Sequence, residues 1–366
     1  MSLFFGQIIE YPIPIDALSA YRFPGKVLHR MKKDMTRVLV ESTVRRTLKN
    51  IQEAPERATR NLIDLGLEFS GGRFQTRFLS QAQKMLQNPK SAYYDLAKQM
   101  AATVDPDIIT TFGVNLGYNS CTKGAQRIRE IEAEKGFNIP WALHLVINEQ
   151  KLEAEPAFYP SVLRQGQALG IHTYLLFVSG SSEKVLPLIE KEPDDAFILF
   201  LHGRQVGPAF LEKMKAIKNA MISVYINADM PDACQKLRDA GRLYAVHQRY
   251  TEQDREAILN GEWLKAVLPV RPAFAFLRAD FSCTPRTQEE VYRYVTAVRD
   301  EQQVPLIFMD IKQDTLLIDQ VISDGECLVG FDADGSLRTH EGYKRDELYN
   351  IFRHPLEEIL QNASKK

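Results

Sequence analysis

Cysteine is scarce in this 366-residue chain: Cys121, Cys234, Cys283 and Cys327 stand far apart, with no CxxC pair. That spacing argues against a disulfide framework and a zinc ribbon, and fits free thiols in a reducing compartment. Long apolar runs are missing too. The best, such as Ala196–Leu201, are strand-sized, well short of the roughly 20 residues needed to cross a bilayer. The opening MSLFFGQIIEYPIPIDAL has no basic n-region and no small-residue cleavage site, and Glu10, Pro12, Pro14 and Asp16 interrupt it. Secretion is therefore not expected, and the default location is the cytoplasm. No glycine-rich phosphate fingerprint follows any apolar run, which disfavours a dinucleotide-binding sheet.

What the chain does have is a 45% hydrophobic composition, enough for a large core, and a formal net charge of -1 that hides an asymmetry. Tyr21–Met100 carries 16 Lys/Arg against 7 Asp/Glu, so the rest of the chain is about ten charges negative. A basic arm for an anionic partner and a basic layer packed on an acidic body both fit this split. We favour the second.

The first hundred residues read as helices. Gly25–Gln52 has apolar residues at three-and-four spacing, Pro55 opens PERATRNLIDLG with Gly66 as a stop, and a turn at Ser70–Gly72 precedes Phe78–Leu86 and Ala92–Ala101. Val104-Asp105-Pro106-Asp107 breaks this pattern and marks a domain boundary. Beyond it, short apolar runs alternate with amphipathic helices. The expected strands are Ile108–Leu116, Trp141–Ile147, His172–Val178, Ala196–Leu201, Met221–Ile226, Leu243–His247, Pro272–Leu277 and Val304–Met309. Eight strands in βα alternation predict an α/β fold closed as a (β/α) TIM-type barrel. Expected domains are a helical basic region at 1–104, the barrel at 105–320 and a C-terminal extension at 321–366.

Three stretches resemble radical SAM (S-adenosylmethionine-dependent radical) proteins. Thr111–Ile128, TFGVNLGYNSCTKGAQRI, resembles the opening strand and cluster turn, with the family's CxxxCxxC falling on Cys121, Ala125 and Ile128. Gln165–Gly180 is similar to a helix–strand unit ending in a TNG-like turn. Cys327–Gly330, Phe331–His340, Leu348–Ile351 and His354–Ile359 resemble the SPASM-type C-terminal extension of peptide maturases, with the second extension cysteine falling on His340. The resemblance implies a radical SAM kind of barrel, a peptide partner and S-adenosylmethionine as cofactor. It departs where the chemistry sits. Cluster iron needs thiolates, which alanine and isoleucine cannot supply, so no 4Fe-4S cluster is expected. Asn148-Glu149-Gln150 stands where the family has the GGE that receives the cofactor's amine, and only Glu149 matches by type.

Reacting groups in such barrels lie at the carboxyl ends of the strands. Those ends hold Tyr118, Asn119 and Cys121; Asn148 and Glu149; Ser179 and Ser181; His202 and Arg204; Asn227 and Asp229; His247 and Arg249; Arg278 and Asp280; Asp310 and Lys312. Charges of both signs from several strands suit a small polar ligand. As ligand-binding residues we select Asn119, Glu149, Ser179, His202, Arg204, Asp229, Arg249 and Arg278. The candidates for catalysis are His202, His247, Asp280 and Cys283: imidazole with carboxylate for acid–base work or metal ligation, and a thiol beside Arg278 and His247 as nucleophile. No metal-ligand spacing is diagnostic, and no metal is expected. Helix-borne Arg45, Arg46, Lys49, Arg57 and Arg60, with Arg73 and Arg77 flanking Phe74, belong to no nucleic-acid module, so a solvated face or protein interface is the expected role. The reading is a cluster-free pseudoenzyme acting as a ligand- or peptide-binding accessory protein. An enzyme with a rebuilt, non-radical mouth and a structural assembly subunit using the basic helices are the alternatives.

Overall fold

The computed structural model describes residues 25–69, 72–323, 325 and 327–364. The opening segment and most of the turn expected at Ser70–Gly72 lie outside them. The amino-terminal helices form where periodicity placed them: α1 (Gly25–Ile51), α2 (Pro55–Phe69), α3 (Arg73–Met85) and α4 (Tyr93–Thr103). Pro55 opens α2, where its missing N–H costs nothing. Gly66 does not stop that helix. It lies inside α2, and a Cβ there would sit 3.0 Å from the Leu79 side chain, so glycine allows α3 to pack closely.

The first expected strand is absent. Asp105 caps a helix instead, its side chain accepting from the Asp107 amide at 2.8 Å, and Pro106 holds the first position of α5 (Pro106–Val114). The chain continues through a π-helical turn, Asn115–Gly124, into α6 (Ala125–Lys135). The apolar run Ile108–Leu116 therefore buries Ile108, Phe112 and Val114 from a helix face, and Asp105-Pro106 starts an element rather than breaking one.

Strands begin with β1 (Ala142–Ile147) and continue as β2 (Thr173–Val178), β3 (Ala196–Leu201), β4 (Ala220–Tyr225), β5 (Tyr244–Tyr250), β6 (Phe274–Ala279) and β7 (Ile307–Asp310), each parallel to the next. The eighth parallel strand is β8 (Val329–Phe331), which pairs with the free side of β1. β9 (Leu337–Thr339) and β10 (Gly342–Lys344) follow antiparallel, giving the order β10-β9-β8-β1-β2-β3-β4-β5-β6-β7. The sheet thus curls into a half-barrel but does not close. In a closed barrel β8 would use its second edge for β7; here β9 occupies that edge.

Side-chain alternation sorts the strands into two faces. Val178, Leu199, Leu201, Ile222, Val224, Val246 and Leu277 are buried on the convex side within the main core. The helical base closes the amino-terminal ends of the strands. Asn115 Nδ2 donates to the carbonyls of Pro193 and Asp195 at 2.8 Å, and the Asp105 amide donates to Gly241 O at 2.9 Å. Arg37 pairs with Asp194 and Arg45 with Asp107, while Lys218 meets Asp105 at 2.6 Å. The basic helices therefore pack, in part, on acids of the body. At the other end of the chain, Gly335 (φ 83°) turns the β8–β9 hairpin, and the helix Leu356–Ser364 returns to the body, its Leu356 amide donating to Gln165 Oε1 at 2.8 Å.

Candidate functional site

The concave face carries slanted rows of side chains set by the strand register. Leu175, Ile198 and Met221 lie opposite one another in one row; Phe177, Phe200 and Ser223 form the next, and Tyr225, His247, Phe276 and Met309 the one above. The middle of this face is aromatic. Phe177 and Phe200 stack with centroids 4.4 Å apart, Phe200 meets Phe276 at 5.9 Å and His247 edge-on at 5.0 Å, and Tyr225 touches His202 at 5.1 Å and His247 at 5.5 Å. Such pairs add to burial when offset or edge-to-face.

Above the aromatic layer stands a group of cations. The Arg278 guanidinium lies 5.2 Å over the Phe177 ring, and its buried Nε has no hydrogen-bond partner. Burial, then the neighbouring Arg338 and Arg249, lower its pKa to about 10. Arg249 ion-pairs with Asp280 at 2.6 Å and lies 5.6 Å over Phe281. Arg338, from β9, lies 5.0 Å from the centroid of the same Phe281 ring, and Phe281 meets Tyr343 of β10 at 5.3 Å. The carboxyl-terminal hairpin therefore reaches across the mouth to the loop after β6, although β7 and β10 do not pair. His144 lies on β1 below this rim. It is 8% exposed with Nε2 unpartnered, and burial, then Arg338 and Arg278, push its pKa down to about 3. Burial, His202 and Arg278 push His247 down to about 3 as well. Both rings are neutral near pH 7. Guanidinium groups over aromatic faces, with donors left over, form a surface that favours anions.

Of the residues selected from sequence, His202, His247, Arg249, Arg278 and Asp280 come together at this mouth. Glu149 opens the short helix after β1, where it pairs with Lys184 and accepts from the Ser181 amide at 3.1 Å, and these partners hold its carboxyl below the ordinary range. Ser179 and Arg204 are exposed on the following loops, and Asp229 is exposed at the start of Met230–Asp239. Asp310 ends β7 and is buried as a helix cap accepting from the Gln313 amide at 2.9 Å, and Lys312 lies in the first turn of the helix Ile311–Ile322.

Three placements correct the sequence reading. Asn119 is at the opposite end, buried in the π-helical turn and donating to Asp194 O at 2.7 Å and Asn115 Oδ1 at 3.1 Å, because its segment is helical and lies under the sheet. Cys121 lies in that same turn, also away from the mouth. Cys283 is buried, its Sγ 3.3 Å from the Tyr250 carbonyl. Burial raises its pKa, which suits an inert thiol more than a nucleophile. Among the described residues no three His, Cys, Asp or Glu side chains group so as to hold a metal ion. His247 Nδ1 is 3.0 Å from Ser223 Oγ, but Ser223 is 0% exposed, so the pair orients the ring without presenting a nucleophile. His144, Phe177, Phe200 and Arg338 were missed. The first three were open to strand alternation; Arg338 had no signal, since the hairpin's route over the mouth is not local information.

No protein-family model matches this chain, and no curated protein matches it in sequence. Solved structures align with it weakly. SuiB of Streptococcus suis bound to precursor peptide SuiA gives a TM-score of 0.42 at 12% identity, over 59% of this chain and 63% of that one. Another structure of S. suis SuiB gives 0.42 at 11% identity, over 81% and 75%. The chain thus spans less than two thirds of the first of these proteins. At this TM-score the likeness carries no functional argument. Among the described residues no helix is long and apolar enough to cross a membrane.

Proposed function

We propose that this is a cluster-free binding protein of radical SAM-like architecture that captures an acidic segment of a peptide at the mouth of its half-barrel. The observation that carries the reading is Arg278: a guanidinium seated on Phe177, with a buried unpartnered Nε, beside two further arginines of which Asp280 neutralises one. A carboxylate entering there would meet donors already aimed and partly desolvated, the condition under which charge-assisted hydrogen bonds are strongest. The aromatic floor would carry the apolar part of the segment.

A 4Fe-4S cluster does not fit these residues. The motif positions are Cys121, Ala125 and Ile128, all buried on helical turns beneath the sheet, and burial pushes the Cys121 thiol up to about 12. Thiolate ligation needs the opposite environment. Glu149, the residue matching the cofactor-amine position, is engaged by Lys184 and the Ser181 amide. We therefore assign S-adenosylmethionine no role and derive no chemical step.

The test is fluorescence anisotropy with a labelled glutamate-rich decapeptide and its glutamine counterpart. The acidic peptide should bind at least about tenfold more tightly, weaken with added salt, and lose about ten- to a hundredfold in affinity with Arg278→Gln, the weight of a hydrogen bond to a charged group. Equal binding of the two peptides, or none, would end the proposal.

A further inference from the structure

The other end of the concave face holds a different kind of space. Between the sheet and the helical base lies a cavity of about 480 Å³. Its sheet wall is the row Leu175, Ile198 and Met221 with Phe276 above; its other wall is made by α1, α2, α3, the π-helical turn and the helix after β7. No Asp, Glu, Lys, Arg, His, Asn or Gln is among its lining residues. In a closed barrel this volume would be filled by layers of side chains. Here the curl of the sheet is wider than its side chains can fill, and an unfilled apolar space loses stability steeply with its volume.

The polar groups of the lining are the hydroxyls of Thr43, Tyr118, Thr122 and Thr315, the Cys121 thiol and the Trp141 indole. Trp141 lines the cavity and is 7% exposed, and its indole Nε1 is buried with no hydrogen-bond partner. An indole N–H is a donor only. The cavity thus suits a ligand that is mostly hydrocarbon and carries an acceptor for the unpartnered indole N–H. Its size lies within the usual range for ligand pockets. At ~30 Å³ for each methylene-sized unit, taking the volume share of a water molecule, it holds a chain of roughly sixteen carbons. Sugars, nucleotides and acidic peptides would bury unmatched polar groups in it. A route in is marked by Phe78 of α3, which lines the cavity yet is 57% exposed, next to a helix, α1, that also presents Met35, Val38 and Leu39 to solvent.

We propose that this cavity is a second binding site, for a long-chain acyl group, with the hydrocarbon against Leu175, Ile198 and Met221 and the acyl oxygen accepting from Trp141 Nε1. It lies across the aromatic layer from the arginine-rich mouth and does not depend on it.

Palmitate, hexanoate and lysophosphatidylglycerol are titrated into the full chain, reading tryptophan emission and displacement of a fluorescent sixteen-carbon fatty acid. Palmitate should bind saturably at one per chain and hexanoate at least tenfold more weakly. Comparison of palmitate with the lysolipid decides between a free acid and a lipid acyl chain as the source. Trp141→Phe should remove the emission change and weaken palmitate about fivefold, the weight of one ordinary hydrogen bond. Ile198→Trp should lose palmitate more than tenfold; the milder Leu175→Phe, which folds more readily, should lose part of it. The proposal is overturned if the full chain shows no saturable palmitate binding, if hexanoate binds equally well, or if Trp141→Phe and Leu175→Phe both bind like the wild type.

Discussion

Replacing Asp310 with asparagine should change how stability depends on pH, and the structure fixes the sign. Asp310 is 2% exposed, caps the helix Ile311–Ile322, and lies beside Asp314. Burial, with Asp314 adding to it, pushes its pKa up to about 7, against 3.8 for a free side chain. Between those values the folded chain keeps a proton that the unfolded chain has released. Its contribution is therefore fully present below about pH 4 and lost as pH rises to about 7. Three units at about 1.36 kcal/mol each make roughly 4 kcal/mol. Asparagine keeps the cap at nearly equal strength and never ionises. Wild type and Asp310→Asn should therefore melt alike near pH 4, and the variant should lead at pH 8 by roughly five degrees. The difference between the two proteins is the quantity to plot. His144 and His247, held near pKa 3, act in the opposite direction, losing stability as pH falls below about 6.5, and they cancel in the subtraction. Parallel melting curves from pH 4 to 8 would refute the reasoning, because they would mean Asp310 is ionised in the folded chain at every pH.

Other outcomes follow from single contacts. Gly203→Ala should cost about 1–3 kcal/mol in thermal or urea denaturation, since the new Cβ would lie 2.7 Å from the Asp229 carbonyl and Cβ. Gly335→Ala should destabilise the hairpin, because φ is 83° there and the Cβ would meet Asn350 Oδ1 at 2.5 Å; faster proteolysis within 327–344 would report it. Asp314→Asn should lose about 3–5 kcal/mol by leaving the Arg299 guanidinium, now 3.0 Å from Asp314, without its charge partner. Cys121 and Cys234, both held up to about 12 by burial, should alkylate at pH 8 only on unfolding, which mass spectrometry of iodoacetamide-treated protein checks.

The chain's own pattern was enough to find β1 to β7, because short apolar runs bounded by turns and alternating with amphipathic helices leave few other arrangements. It also marked the strand ends as the place for polar chemistry, and His202, His247, Arg249, Arg278 and Asp280 do meet there. It misled at Ile108–Leu116. A nine-residue apolar run suits a strand or a buried helix equally, and the deciding signal was the cap-and-proline pair Asp105-Pro106, whose side-chain hydrogen bond forms only at a helix start.

Tertiary structure alone decided the rest. Whether eight parallel strands close depends on which edge is left over, and β9 took the edge of β8 that β7 would have needed. The same hairpin carries Arg338 to the mouth from more than 50 residues beyond Arg278, so the clustering of like charge there is a product of the curl and no local pattern encodes it. Sequence determined which residues are apolar, where elements begin and which strand ends are polar, since these rest on neighbours along the chain. The pairing of Arg249 with Asp280, the lone Nε of Arg278 and the apolar cavity beneath rest on neighbours in space.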